Sequence, residues 1–91
     1  MSVLTRNYRC RQGEVDIIAK EHPYLLFVEV KYRRNLRKGY PAEAVTVQKQ
    51  KRIYQVARYY LYEHRLPEET PVRFDVVSIL GTEIQYIRNA F

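Results

Sequence analysis

Two short acidic motifs, Glu14-Val15-Asp16 and Glu29-Val30-Lys31, carry the residue types from which a cation-assisted hydrolytic site is built. They lie in two apolar segments, Asp16 to Ala19 and Leu25 to Lys31, rich in residues that fit a pleated surface, and Pro23 stands between them. The pair reads as a hairpin. Pro23 cannot take the positive φ of a two-residue type I′ turn, so a four-residue loop, Glu21 to Tyr24, is expected. Such a loop pairs residues whose numbers sum to 45, setting Asp16 opposite Glu29 and Glu14 opposite Lys31. Alternation then gathers all four side chains on one face, within about 5 to 8 Å of their neighbours. Two carboxylates facing each other on an apolar hairpin are destabilising, and a bound divalent cation is the expected compensation. The competing reading has Asp16 and Glu29 as solvated strand acids and Lys31 as the ion-pair partner of Glu14. The apolar neighbourhood counts against solvated acids.

The elements that must position these groups follow from pattern. Val3 to Tyr8 reads as a strand entering a turn at Arg11-Gln12-Gly13. Leu25 to Val30 is apolar at nearly every position, the pattern of a central strand covered on both faces. Ala42 to His64 reads as a helix, with Ile53, Val56, Ala57, Tyr60 and Leu61 as its buried stripe and Thr46 as a candidate N-cap. Pro67 and Pro71 bracket a linker. Val72 to Leu80, Gly81-Thr82 and Glu83 to Ile87 read as a second hairpin. Winding the helix at 100° per residue turns Lys49 and Gln50 toward the sheet with the apolar stripe, while Lys51, Arg52 and Arg58 point outward. Stems covering apolar surface with snorkelling tips would explain Lys49 and Gln50 without function. Beside an acidic cluster, they also read as its polar neighbours at the end of the sheet.

Composition narrows the partner. At 91 residues with 46 % hydrophobic content, the chain reads as one folded domain spanning 1–91. Sixteen Lys and Arg against ten Asp and Glu give a net charge of +6, which favours a polyanion such as nucleic acid. No apolar run approaches the roughly 20 residues needed to span a bilayer, and nothing resembles a signal peptide, so no membrane association and a cytoplasmic location are expected. Cys10 is the one cysteine, and neither acidic motif contains a His, which argues against a disulfide, a zinc site or acyl transfer. The run Lys31 to Lys38 sets five cations in eight residues directly after the second motif, with Arg33, Arg34, Arg37 and Lys38 able to track phosphates. A solvated loop is the plain alternative. Lys51 and Arg52 on the helix extend the same cationic surface. Tyr32 and Tyr40 could stack on unpaired bases, though among nine tyrosines that signal is weak.

Five blocks in order carry a resemblance. Arg6 to Ala19, Phe27 to Lys31, Lys49-Gln50 with Arg52, Arg73 to Val76, and Asn89 to Phe91 resemble the YraN family. That family consists of small bacterial predicted nucleases, placed in the restriction-endonuclease-like PD-(D/E)xK superfamily near the Holliday junction resolvases. The resemblance implies an α/β fold, a mixed β-sheet with a flanking helix. It implies metal binding by Asp16 and Glu29, and it carries the catalytic lysine onto Lys31. The family also has a helix with a Gly-Glu motif before the first strand, and the chain as given begins at or just before that strand. One sheet face is therefore expected to be short of cover, which favours a homodimer, an exchanged element or a partner protein.

Hydrolysis of a phosphodiester needs an activated water and stabilisation of the charge on phosphorus, which carboxylate-held Mg²⁺ or Mn²⁺ serves. The candidate catalytic residues are Asp16, Glu29, Lys31, Lys49 and Gln50. Lys31 orients or deprotonates the water or neutralises developing charge, Glu14 is second to these, and Asp75 is expected to be structural. The expected function is metal-dependent cleavage of structured or branched DNA, and the alternative is a non-catalytic nucleic-acid-binding module.

Overall fold

The computed structural model describes residues 1–33 and 45–91, Arg33 through its backbone alone. Among the described residues five strands form one sheet in sequence order, β1 (Ser2–Cys10), β2 (Gly13–Glu21), β3 (Tyr24–Arg33), β4 (Val72–Leu80) and β5 (Glu83–Ile87). The helix α1 (Val47–Glu63) falls between β3 and β4. β3 and β4 run parallel, and the other neighbouring pairs are antiparallel. A parallel pair needs a long crossover, and α1 belongs to it. The fold is the expected α/β mixed sheet with one flanking helix.

β3 is the middle strand. Leu25 and Phe27 pack against α1, whereas Leu26 and Val28 are buried on the far face with Ala19. Cover on both faces accounts for the unbroken apolar run. The helix presents the expected stripe, Ile53, Val56, Ala57, Tyr60 and Leu61, to Val15, Ile18, Phe27 and Val76. Phe27 stacks on Phe74, its register partner across the parallel pair, with ring centroids 5.8 Å apart, and Tyr60 meets Phe27 edge-on.

The helix begins later than its pattern predicts. Within the described residues it starts at Val47 rather than in the stretch from Ala42, because the Thr46 side chain accepts the N–H of Lys49 at 3.1 Å and caps the first turn. It ends one residue early, at Glu63. Arg65 takes a left-handed φ of 54°, and the N–H groups of Leu66 and Arg65 return to the carbonyls of Leu61 and Tyr62, a Schellman closure built without glycine.

The β2–β3 turn is also tighter than expected. Glu21 pairs directly with Tyr24, leaving His22-Pro23 as a two-residue loop whose peptide bond is cis. Neither His22 nor Pro23 takes a positive φ, so the objection to a two-residue loop does not apply. The register keeps the expected sum, from Glu21↔Tyr24 to Ile17↔Val28.

The simple alternation of β2 breaks at the site. Val15 and Ile18 both enter the helix-side core, which strict period-two spacing forbids, while Ile17 packs on the far face. Asn7, between the pairs Arg6↔Ile17 and Tyr8↔Val15, has a φ of 52° at the step that faces Asp16. The β1–β2 register itself runs on unbroken through this step, and its one shift lies between Val3 and Thr5. Glu14 is not the partner of Lys31. It lies exposed and pairs with Arg9, its neighbour on β1, at 3.0 Å.

Candidate functional site

The main-chain pairing of β2 with β3 runs to Ile17↔Val28, and the two acids take over at the next step. Asp16 Oδ2 accepts the N–H of Val30 at 2.8 Å, while Glu29 Oε1 accepts the N–H of Asp16 at 3.4 Å. Each carboxylate is thus held by the other's strand. Glu29 is only 2 % exposed, so its charge demands a partner. Lys49 supplies one from the first turn of α1, with Nζ 2.7 Å from Glu29 Oε2.

Lys31, half-buried on β3, completes a cluster of two carboxylates and two ammonium groups. Burial and the adjoining Lys49 ammonium push the Lys31 pKa below the ordinary lysine value, with Glu29 and Asp16 offsetting part of that shift. Burial works against the Lys49 charge too, but its hydrogen bond to Glu29 and the field of both carboxylates leave its pKa above the ordinary value. Lys49 is therefore the better-held cation, and Lys31 gives up its proton more readily. A lysine made less basic beside two acids is equipped for proton transfer.

Four of the five candidate catalytic residues, Asp16, Glu29, Lys31 and Lys49, converge in this way. Gln50 lies in the same helical turn, where its Nε2 donates to the carbonyl of Val45 at 3.0 Å and holds the entry to α1. Carboxylate oxygens are the donors that Mg²⁺ and Mn²⁺ take, so Asp16 and Glu29 fit such a cation in kind, with waters completing its shell. Among the described residues no group of three His, Cys, Asp or Glu side chains comes together.

The expected binding surface is described in part. Lys51 and Arg52 are exposed on α1, and Tyr32 is 79 % exposed at the end of β3. The side chain of Arg33, together with Arg34, Arg37, Lys38 and Tyr40, lies outside the described residues. Among the described residues no helix is long and apolar enough to cross a membrane.

Asp75 forms a separate polar centre, fully buried on β4 and on the face away from α1. Arg73 grips both its oxygens, with Nε at 3.0 and 3.2 Å and Nη2 at 2.9 Å. The Tyr86 hydroxyl donates to it at 2.5 Å and the Asn89 N–H at 2.9 Å. Burial opposes the Asp75 charge, but these donors hold its pKa below the ordinary value. This is a structural role: Asp75 joins β4 to β5 and the C-terminal tail, where the Ala90 N–H also bonds the Phe74 carbonyl. Two of the resembling blocks, Arg73 to Val76 and Asn89 to Phe91, are thus partners in one contact. Sequence reasoning missed Asn7. Its only signal was an Asn inside a strand pattern, a residue type that tolerates positive φ.

The profile of the Uncharacterised protein family UPF0102 matches residues 1–79. A UPF0102 protein of Lachnoclostridium phytofermentans is 63 % identical over 89 residues, covering 98 % of this chain and 75 % of the relative. Another, of Clostridioides difficile, is 47 % identical over 91 residues, covering 98 % and 79 %. A third, of Legionella pneumophila, is 38 % identical over 93 residues, covering 100 % and 79 %. The five blocks that resembled the YraN family thus sit in a chain that belongs to the uncharacterised protein family UPF0102.

Proposed function

We propose that this chain is a metal-dependent endonuclease-like protein that hydrolyses phosphodiester bonds in structured or branched DNA. The observation that carries the reading is the convergence of Asp16, Glu29 and Lys31 where β2 and β3 stop pairing through their backbones. Asp16 and Glu29 would hold Mg²⁺ or Mn²⁺, which when bound supplies charge stabilisation at phosphorus and acidifies water. The interlocked hydrogen bonds with the Asp16 and Val30 N–H groups fix both carboxylates before any substrate arrives, so little ordering is left for the reaction. Lys31, its pKa lowered by burial and by Lys49, orients the attacking water or takes its proton at Nζ. Lys51 and Arg52 meet flanking phosphates, and the net charge of +6 draws the polyanion in.

A second reading has its own support. Glu29 is already neutralised by Lys49 at 2.7 Å, as it would be in a nucleic-acid-binding module that keeps the fold without the chemistry. Mn²⁺ titration by calorimetry of the wild-type chain and of Asp16→Asn separates the two. The nuclease reading expects binding heat that the substitution removes, and absence of heat in both favours the binding module.

A further inference from the structure

Lys49 occupies a position that local helix physics disfavours. It is in the first turn of α1, where the macrodipole is positive and acids rather than cations are stabilising, and that turn contains no acid at all. The Lys31 side chain lies beside it. What holds Lys49 there is Glu29, whose Oε2 it contacts at 2.7 Å while Oε1 faces the Asp16 N–H. Glu29 is 2 % exposed and needs a counter-charge in any state of the protein.

We infer that Lys49 is the internal counter-ion of this site, standing on the carboxylate oxygen that a divalent cation would take, so that cation and ammonium compete for Glu29. This rests on the proposed metal-binding reading of Asp16 and Glu29. Cation entry then exchanges one counter-charge of Glu29 for another and frees the Lys49 ammonium. Lys49 in this account is a positioning residue. It neutralises and aims the buried carboxylate before the cation arrives, at the expense of cation affinity.

The test compares wild-type chain, Lys49→Gln and Lys49→Arg by Mn²⁺ calorimetry, with melting temperature as a second readout. Removing the competing charge should tighten Mn²⁺ binding by about ten-fold or more, within the usual range of coupling between sites. Lys49→Arg, which retains the charge, should stay near wild type. Mn²⁺ should also raise the melting temperature of Lys49→Gln more than that of wild type, because the cation then replaces the counter-charge that Glu29 has lost. If Lys49→Gln is unfolded alone, refolding on addition of Mn²⁺ supports the inference, and failure to refold overturns it. Equal or weaker Mn²⁺ binding by a folded Lys49→Gln, when wild type binds, overturns the competition alone. No Mn²⁺ binding by any of the three overturns the metal-binding reading and the inference with it.

Discussion

Replacing Asp75 by Asn tests whether the far-face polar centre is a stability element independent of the Asp16–Glu29 site. Asp75 is 0 % exposed and accepts from Arg73, Tyr86 and the Asn89 N–H. Asn retains one acceptor oxygen but turns an NH₂ group toward a donor, and it removes the charge that Arg73 neutralises. Losing two charge-assisted hydrogen bonds at about 1.5–3 kcal/mol each gives about 3–6 kcal/mol. The cost of breaking a buried ion pair by removing one partner is similar, about 3–5 kcal/mol. Arg73 is 13 % exposed and keeps Glu21 at 3.5 Å and the Tyr24 ring at 5.4 Å, contacts weaker than the bidentate grip it loses. For a domain of this size about 4 kcal/mol lowers the melting temperature by roughly 15–30 °C, which circular dichroism reads directly. Adding Arg73→Met should recover part of the loss, because an apolar pair is better than an orphaned guanidinium. A melting temperature within about 5 °C of wild type for Asp75→Asn would refute the reasoning, since about 1 kcal/mol is too little for a buried centre of this kind.

Thr46→Ala should cost about 1 kcal/mol by uncapping α1, read as a lower urea midpoint with unchanged slope. Lys51→Ala with Arg52→Ala should weaken DNA binding and flatten the plot of log K against log salt by about 2 if both contact phosphate, and an unchanged slope would remove them from the interface. Stability should also fall at both ends of the pH range, followed by urea unfolding. Asp75 has a folded pKa below its unfolded value, so its contribution is present above about pH 4 and is lost as pH falls through the folded value. Burial and the bond to Asp75 raise the Tyr86 pKa to about 12, so its contribution is full below about pH 10 and is lost as pH rises toward 12. Tyr8 and Tyr60, raised by burial and Glu63, add to the alkaline loss, so Tyr86→Phe should lessen it without abolishing it.

What the sequence made legible was governed by local periodicity. The helical stripe from Ile53 to Leu61 and the β2–β3 register follow from spacing alone, and the structure repeats both. The inward turn of Lys49 was legible for the same reason. Its contact with Glu29 depended on where the crossover sets α1 over the sheet, which no single-element pattern encodes. The break in alternation at Asp16 was hidden because it belongs jointly to two strands: Asn7 in β1 adopts positive φ at the step facing Asp16, and neither strand announces it alone. Glu14 was misassigned to Lys31 as a direct result. A structural role was expected for Asp75, but its partners required the β4–β5 register, Val77↔Tyr86, and the return of the tail to Phe74.

The most direct measurement is cleavage of a four-way DNA junction and of the matching linear duplex with Mg²⁺ or Mn²⁺, comparing wild type with Asp16→Asn, Glu29→Gln, Lys31→Ala and the triple variant. The account predicts nicking by wild type, with the junction preferred over the duplex. Each single substitution should remove most of it while DNA binding persists, and the triple variant should be little worse, because residues acting as one unit are not additive. Nicking by Lys31→Ala at the wild-type rate, or no metal-dependent nicking by wild type, would contradict it.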